Sequence, residues 1–307
     1  MSIPSKHHYL PKFYLERWAA DGTVVRYIRP RGVGDRLDCK RKTTSAIAYE
    51  RNLYQLPDID DPIESQALEL RFFQKIDDRA AVALDKLDRL ERGNVADRVA
   101  LSQFLFSLLH RSPSRLAAIR RELADRTAEA PYRALVGEEF DRAVKAMSNR
   151  LLASLVESEH GARIVSKFRA FRIDVSASSK RLLTSDRPVN VSAQLISPDA
   201  FLILPYAPDR LLILTHREEI ANAFSSQDPT TLVRGINIAV VEQSEDLVIA
   251  ADENATRMID KTFLQPGSRA QSDPIGLIRR KSPFIDLTPK TRFFTRQNKA
   301  GMRFLGQ

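Results

Sequence analysis

The spacing of the apolar residues changes twice along the 307-residue chain, and this change restricts the fold more than any other feature of the sequence. Between residues 63 and 155, apolar side chains recur every three or four positions, which is the period of helices with one buried face. Before and after this region, short runs of β-branched and aromatic residues are bounded by turn residues, which is typical of strands. A block of helices between two strand-rich segments indicates an α+β fold and argues against alternating βαβ units.

The central block divides into about four helices at residues that favour helix ends. Gly93 ends the first predicted helix, and Asn94 can cap the second. The pair Ser112-Pro113 begins the third with a cap followed by proline, and Gly161 ends the fourth. We therefore expect a central block of about four helices, packed with a mostly antiparallel sheet that is built from N-terminal and C-terminal strands.

Local composition predicts the strands of that sheet and two later helices. The polar, basic stretch from Arg31 to Thr44 is predicted to be a loop. The expected strands are, in chain order, residues 23–28, 52–56, 171–175, 182–184, 201–204, 211–215 and 247–249. The later helices are expected at residues 217–224 and 229–242. Residues 1–264 are thus predicted to form a single α+β domain.

The formal net charge of +9 is concentrated at the two ends of the chain. Residues 1–49 hold ten Lys or Arg against four Asp or Glu, and residues 266–307 hold nine against two. This asymmetry indicates an anionic partner such as nucleic acid. Simple solubility, together with pairing of the basic ends with the mildly acidic middle, explains the same distribution.

The C-terminal segment, residues 265–307, is predicted to be a basic, flexible tail, because Pro, Gly, Ser and basic residues prevail there without periodicity. If the tail binds nucleic acid, its cations contact phosphates and its aromatic rings stack on unpaired bases. The tail residues assigned to this role are Arg279, Arg280, Lys281, Lys290, Arg292, Phe293 and Phe294.

Composition excludes several classes of protein. The longest apolar runs are of strand length, far below the roughly 20 residues that span a bilayer, so no membrane partner is expected. Charged and polar residues interrupt the N-terminus from Lys6 onward, unlike a signal peptide, and Cys39 is the only cysteine. We therefore expect a cytoplasmic protein without an internal disulfide or a cysteine-rich zinc site. A nucleophile elbow, a phosphate-binding glycine loop and a zincin motif are absent from the sequence.

Six short motifs occur in a fixed order along the chain. They are His7–Leu15 (His-His-Tyr-Leu-Pro-Lys-Phe-Tyr-Leu), Asn52–Tyr54, Arg111–Pro113, Thr184–Pro188, Ala207–Asp209 and Asn237. Together they resemble the bacterial family known as domain of unknown function 4238 (DUF4238) over residues 5–255. Arg187 is a mild departure, because that family more often has asparagine at the position before the proline. The family has no established activity, so the resemblance indicates where a site lies and implies no reaction.

Four polar residues in these motifs are the candidate catalytic residues, namely His8, Arg111, Asp186 and Asn237. Arg111 lies at a predicted helix C-terminus, where it could bind a phosphate or pair with Asp186. Asn237 lies in an apolar helix, so its amide needs partners and could orient the Asp186 turn. We expect all four to meet in one polar pocket between the helical block and the C-terminal sheet.

A divalent metal is the cofactor that these residues could hold. His7 and His8 point to opposite sides of an extended segment and are not expected to bind one ion together. The ligands would be His8 and Asp186, with Glu50 or Glu64 as a third. Alternatively, the histidines fix the N-terminal strand by hydrogen bonds, and the Asp186 carboxylate caps nearby backbone N–H groups.

The N-terminal run also predicts packing, because His7–Trp18 contains two of the five histidines, two of the seven tyrosines and the single tryptophan. We expect this run to be buried in the body of the protein. Two functions follow from these residues. One is a nucleic-acid-associated protein with a metal-assisted phosphodiester hydrolase site at His8 and Asp186. The other is a non-enzymatic interaction protein whose polar cluster only fixes the N-terminal strand.

Overall fold

A block of helices lies between two strand-rich segments, as the change of period predicts. A computed structural model describes residues 5–30, 36–127, 137–158, 167–192, 195 and 197–263. These residues form eight α-helices and ten β-strands, and the strands pair in three antiparallel sheets, which confirms the α+β class. They lie within one compact unit, Met1–Ser272. The seven tail residues assigned to nucleic acid lie outside the described residues.

The predicted central block consists of α2 to α5. The helices are α1 Lys12–Glu16, α2 Gln74–Asp88, α3 Val95–His110, α4 Pro113–Thr127, α5 Glu138–Glu157, α6 Glu218–Ser225, α7 Pro229–Gln243 and α8 Thr256–Thr262. Asn94 caps α3 as expected: its side chain accepts the N–H of Asp97 at 2.9 Å, and the Asp97 carboxylate accepts the N–H of Asn94 at 2.8 Å. This reciprocal pair is a capping box. Among the described residues, no helix is both long enough and apolar enough to cross a membrane.

The segment before α2 is helical but is not a regular α-helix. A 3₁₀ turn at Glu64–Gln66 is followed by a π-helical segment at Leu68–Phe73, which continues into α2. The apolar spacing predicted one uniform helix from residue 63, because the change of helix type leaves the three- and four-residue steps nearly intact. π-helical turns are rare and often occur at functional sites.

The strands belong to three sheets rather than to the one sheet expected. The first sheet pairs β1 (Lys6–His8) with β4 (Tyr49–Arg51). The second has the order β3 (Asp38–Thr43), β2 (Thr23–Ile28), β10 (Val248–Ala250) and β6 (Thr184–Ser185). The third has the order β5 (Arg169–Asp174), β9 (Arg210–Thr215), β8 (Phe201–Ala207) and β7 (Asn190–Val191). The second sheet joins N-terminal and C-terminal strands, as predicted.

Two N-terminal predictions were wrong. Residues 38–43 of the expected loop form β3, in register with β2 from Asp38 opposite Ile28 to Thr43 opposite Thr23. Polar and basic residues are common on such an edge strand because they discourage pairing with other chains. Residues 52–56 do not form the expected strand: β4 ends at Arg51, because Asn52 has a φ of +53° and turns the chain out of the sheet.

The N-terminal aromatic run is buried, as expected. Tyr14, Leu15 and Trp18 have no exposed surface and belong to the main hydrophobic core. The Tyr14 hydroxyl lies 2.6 Å from the Thr184 hydroxyl and donates to the Pro205 carbonyl, also at 2.6 Å. Helix α1 is therefore fixed to both of the larger sheets, and it places β1 beside the helical block.

Candidate functional site

Arg111 is the centre of a buried polar cluster at the C-terminal end of α3. Its side chain is 0% exposed; Nε donates to the Tyr9 carbonyl at 2.9 Å, and Nη1 donates to both Asp77 oxygens at 3.0 and 3.2 Å. A buried charge is costly unless a countercharge lies beside it, and Asp77 supplies that charge. The sequence suggested phosphate or Asp186 as the partner of Arg111. The guanidinium instead stabilises the connection between the N-terminal segment and α2.

Glu69 completes what we call the Arg111 cluster, defined by His8, Tyr9, Glu69, Asp77 and Arg111. It lies on the π-helical segment, and its carboxyl group lies close enough to the backbone N–H of His8 for that N–H to lower its pKa. Burial raises the pKa of Glu69 to about 7 and that of Asp77 to about 6, although Arg111 opposes both shifts. One guanidinium thus faces two carboxyl groups that titrate close to neutral pH. Neither was predicted from the sequence, because an acidic residue in an amphipathic helix resembles part of its solvated face.

The two N-terminal histidines point to opposite sides of β1, as predicted. His7 is fully buried; its Nδ1 accepts the Tyr54 N–H at 3.0 Å, and its ring stacks on the Tyr54 ring with centroids 5.7 Å apart. His8 is half-buried and packs against the Tyr49 ring at 5.6 Å. Burial lowers the pKa of His8, and Lys6 and Arg111 lower it further, so the imidazole is neutral at pH 7.

Asp186 caps backbone rather than forming part of the Arg111 cluster. Its carboxylate oxygens accept the N–H groups of Glu245 and Asp246 at 3.0 and 2.7 Å, in the turn between α7 and β10. Burial raises the pKa of Asp186 to about 7 in spite of these two bonds. The cap that the sequence suggested is thus present, with partners distant in the chain. Tyr9, a member of the Arg111 cluster, lies near enough to Asp186 to feel its charge. Burial raises the pKa of Tyr9, and the negative charges of Asp186 and Asp246 raise it further.

Asn237 is bound to the segment that leads into β6. Its Nδ2 donates to the Arg181 carbonyl at 2.8 Å, and its Oδ1 accepts the Leu183 N–H at 2.9 Å. Both ends of this buried amide are therefore used, as its position in an apolar helix required. Asn237 acts on the chain before Asp186 instead of on the Asp186 turn.

The four candidates therefore have three separate sets of partners. His8 and Arg111 belong to one cluster, Asp186 binds the turn before β10, and Asn237 binds the segment before β6. Within the described residues, no group of three or more His, Cys, Asp or Glu side chains is placed to hold a metal ion. His8 and Asp186 thus belong to no such group of three in the part of the chain that the structure describes.

A second region, which we call the basic cleft, lies where the 179–183 segment, α7, the 250–255 segment and α8 meet. Its first lobe is a cavity of about 660 Å³. The cationic residues that line this lobe are Lys180, Arg181, Arg234, Arg257 and Lys261. All five are exposed, and none forms an ion pair with another described residue. Asp252 is the one carboxylate among the described residues of the lining.

Apolar residues complete the wall of the first lobe. Leu182, Leu183 and Ala250, which belong to the buried core, line it together with Ile238 and Met258. Concave sites that bind small ligands usually combine such an apolar wall with a few polar groups that orient the ligand. The first lobe therefore offers an apolar surface together with an excess of positive charge.

A second lobe of about 400 Å³ extends the cleft. It is lined by Arg17, the 207–210 segment, Arg181, Ala251 and Asp252, of which the last three also line the first lobe. The Ala207–Asp209 motif therefore contributes to the second lobe, and Asn237 contributes to the first. No local pattern in the sequence pointed to the five cations, because they come from separate elements and each resembles a solvated side chain.

Comparison with known proteins adds a family but no activity. A family model described as "Protein of unknown function (DUF4238)" matches residues 6–254. All six motifs lie within this range, and the basic tail lies beyond it. No curated protein and no solved structure matches the chain.

Proposed function

The chain belongs to the DUF4238 family, and for this member we propose a nucleic-acid-associated function in which the basic cleft binds the phosphates of a strand. One observation carries the proposal: five exposed cations surround one cavity, without an ion pair among the described residues. Cations gathered at a concave surface attract anions, because their fields add and the wall excludes water.

The types of residue also favour phosphate as the ligand. Arg181, Arg234 and Arg257 can each donate two parallel hydrogen bonds to one phosphate, whereas Lys180 and Lys261 act as point charges. Because the side chains are exposed, a phosphate reaches them without rearrangement of the core. The tail residues Arg279 to Phe294 would add contacts of their own to nucleic acid, in keeping with the basic sequence there. We assign this function to the bacterial cytoplasm, where a chain with the single Cys39 needs no disulfide.

The test is a titration of a fluorescein-labelled 12-nucleotide single strand, followed by fluorescence anisotropy at low salt. The double variant Arg234→Glu/Lys261→Glu should raise the dissociation constant at least 30-fold (~2 kcal/mol), because it reverses two charges on two different helices of the cleft. The matched control is Arg79→Glu/Arg121→Glu, which makes the same change of net charge at exposed positions outside the cleft. Equal losses in the two variants would refute the cleft as the binding site.

Hydrolysis of the bound strand is the second candidate function. It is favoured by the π-helical position of Glu69 and by two buried atoms, Arg111 Nη2 and Glu69 Oε2, that have no hydrogen-bond partner among the described residues. Groups with shifted pKa values beside a buried charge are common in acid–base sites. The alternative is that this cluster, with Asp186 and Asn237, only fixes the N-terminal strand.

A nuclease screen on DNA and RNA, with and without Mg²⁺ or Mn²⁺, separates the two alternatives. A hydrolase should lose cleavage in Glu69→Gln or Asp186→Ala while its melting temperature stays within a few degrees of the parent. A protein without this activity shows no more cleavage than a mock preparation purified in the same way. In such a protein the same substitutions chiefly lower the melting temperature.

A further inference from the structure

The two lobes of the basic cleft differ in how their cations are paired. In the first lobe the five cations face solvent without an ion pair among the described residues. In the second lobe, Arg17 and Arg210 share one carboxylate, since both form ion pairs with Asp88, with N–O distances of 2.6 and 3.1 Å. Arg17 also pairs with Asp85, and Asp209 lies 3.8 Å from Arg210. The second lobe is therefore close to electrically neutral.

The polar groups of the second lobe are also held in place. Asp88, which lies outside the lining but pairs with two of its arginines, also accepts a hydrogen bond from the Tyr206 hydroxyl at 2.9 Å, and the Arg17 guanidinium lies 5.6 Å from the centre of the Tyr206 ring. Burial raises the pKa of Tyr206, and Asp88 raises it further, so the hydroxyl keeps its proton. A neutral cavity with fixed donors and acceptors suits an uncharged polar group better than a phosphate.

Arg181 connects the two environments. It lines both lobes, is exposed, and has no ion pair among the described residues. A ligand that spans the cleft would thus meet excess positive charge at one end, a free guanidinium at the junction and neutral hydrogen-bonding groups at the other end. A nucleotide has this distribution, with an anionic phosphate joined to an uncharged sugar and base. Polyphosphate and acidic peptides do not.

We propose that the second lobe binds the nucleoside part of a nucleotide whose phosphate lies in the first lobe. The basic cleft would then recognise nucleotide units and not negative charge alone. This inference rests on the proposed function, because it requires that the first lobe binds phosphate.

Two ligands with the same triphosphate chain test the inference, namely ATP and inorganic tripolyphosphate. Their dissociation constants are measured by calorimetry with the full chain at one ionic strength. ATP should bind at least tenfold more tightly than tripolyphosphate. Arg210→Gln should reduce this ratio to about threefold or less, whereas Arg234→Gln, which removes the same charge from the first lobe, should weaken both ligands and leave the ratio unchanged. Asp209→Asn provides a second variant of the neutral lobe if Arg210→Gln does not fold.

Each result decides one question. Equal affinity of ATP and tripolyphosphate for the parent protein overturns the nucleoside subsite but leaves the proposed function intact, provided that Arg234→Gln weakens both. A ratio that survives both Arg210→Gln and Asp209→Asn also overturns the subsite. Failure of both ligands to bind, together with failure of the 12-nucleotide strand, overturns the proposed function itself.

Discussion

The Arg111 cluster and the basic cleft both gather charged side chains, but they balance those charges in opposite ways. Arg111 is completely buried, and its charge is met inside the protein by Asp77 at 3.0 Å. The cations of the first lobe are exposed, and no described residue forms an ion pair with them. A buried charge that is balanced internally makes each partner necessary to the fold, whereas charge that is left unbalanced at a cavity is available to a ligand.

The same contrast separates most of the family motifs from the cations of the first lobe. Four of the six motifs meet around the cluster and α1, through contacts such as Tyr54 hydroxyl to Arg111 carbonyl at 2.7 Å and Tyr14 to Thr184 at 2.6 Å. The five cations of the first lobe lie outside all six motifs. The residues of these four motifs therefore mark segments that hold the fold together, and the charges that we assign to binding lie outside the motifs.

The largest expected difference between the two regions is in how much their charges contribute to the stability of the fold. Arg111→Ala leaves the Asp77 carboxyl group buried without its countercharge, and we expect the free energy of unfolding to fall by about 3–5 kcal/mol. The cleft variant Arg234→Glu/Lys261→Glu should change it by less than about 1 kcal/mol, because both positions are exposed. Urea unfolding measures both.

The control for this prediction removes both charges at once. Arg111→Met/Asp77→Leu replaces the pair by apolar groups of similar size, and it should recover most of the stability that Arg111→Ala loses. A loss below about 1 kcal/mol for Arg111→Ala would show that the cluster is not a main source of stability.

A smaller effect concerns pH. The folded-state pKa values of Glu69, Asp77 and Asp186 are raised to about 7, 6 and 7, so the folded protein binds more protons than the unfolded chain between about pH 4 and pH 7. The stability linked to these groups is therefore fully present at low pH and is lost as the pH rises through the folded-state values. For Glu69 this amounts to about 3 kcal/mol, since one pKa unit corresponds to roughly 1.4 kcal/mol.

Unfolding free energies measured from pH 5 to pH 8 test this linkage. The parent protein should lose stability with rising pH, and Glu69→Gln should flatten the profile because it removes one titrating group. A rising profile, or an unchanged slope in Glu69→Gln, contradicts the assigned pKa shifts.

Local signals explain why parts of the fold could be predicted from the sequence. The cap at Asn94 and the helix predicted at 229–242 depend on neighbours within four residues. The structure confirms both, with Asn94 capping α3 and with α7 at Pro229–Gln243. The β3 strand was missed because its polar residues are stabilised by pairing with β2, a contact that no local pattern reveals. The π-helical turn was missed because apolar spacing hardly differs between helix types.

The site could be predicted only in part for the same reason. His8 and Arg111 were found because motifs drew attention to them. Glu69 and Asp77 join them only through tertiary contacts, since Asp77 pairs with Arg111 and Glu69 lies near both charges. Arg181 lines the cleft only because the 179–183 segment lies beside α7 and α8, which its local sequence does not reveal. Charge balance depends on tertiary contacts, so neither region could be classified from sequence as a fold-stabilising or a ligand-binding cluster.

The smallest expected effect concerns the basic tail. Removal of residues 266–307 deletes nine cations, and we expect it to weaken strand binding by a few-fold. The slope of log affinity against log salt should fall by about 0.7 for every phosphate that the tail neutralises in the parent protein. The cleft double variant should cause the larger decrease in affinity. If truncation alone abolishes binding and the cleft variant has no effect, the tail is the binding region.

A crystal structure of the full chain with a 5′-phosphorylated trinucleotide tests most directly the division between a cluster that stabilises the fold and a cleft that binds phosphate. We predict a phosphate in the first lobe within hydrogen-bond distance of Arg234 or Arg257, and an Arg111 cluster that keeps the Arg111–Asp77 pair unchanged. A trinucleotide bound at His8, Glu69 or Asp186, with the basic cleft empty, would contradict that division.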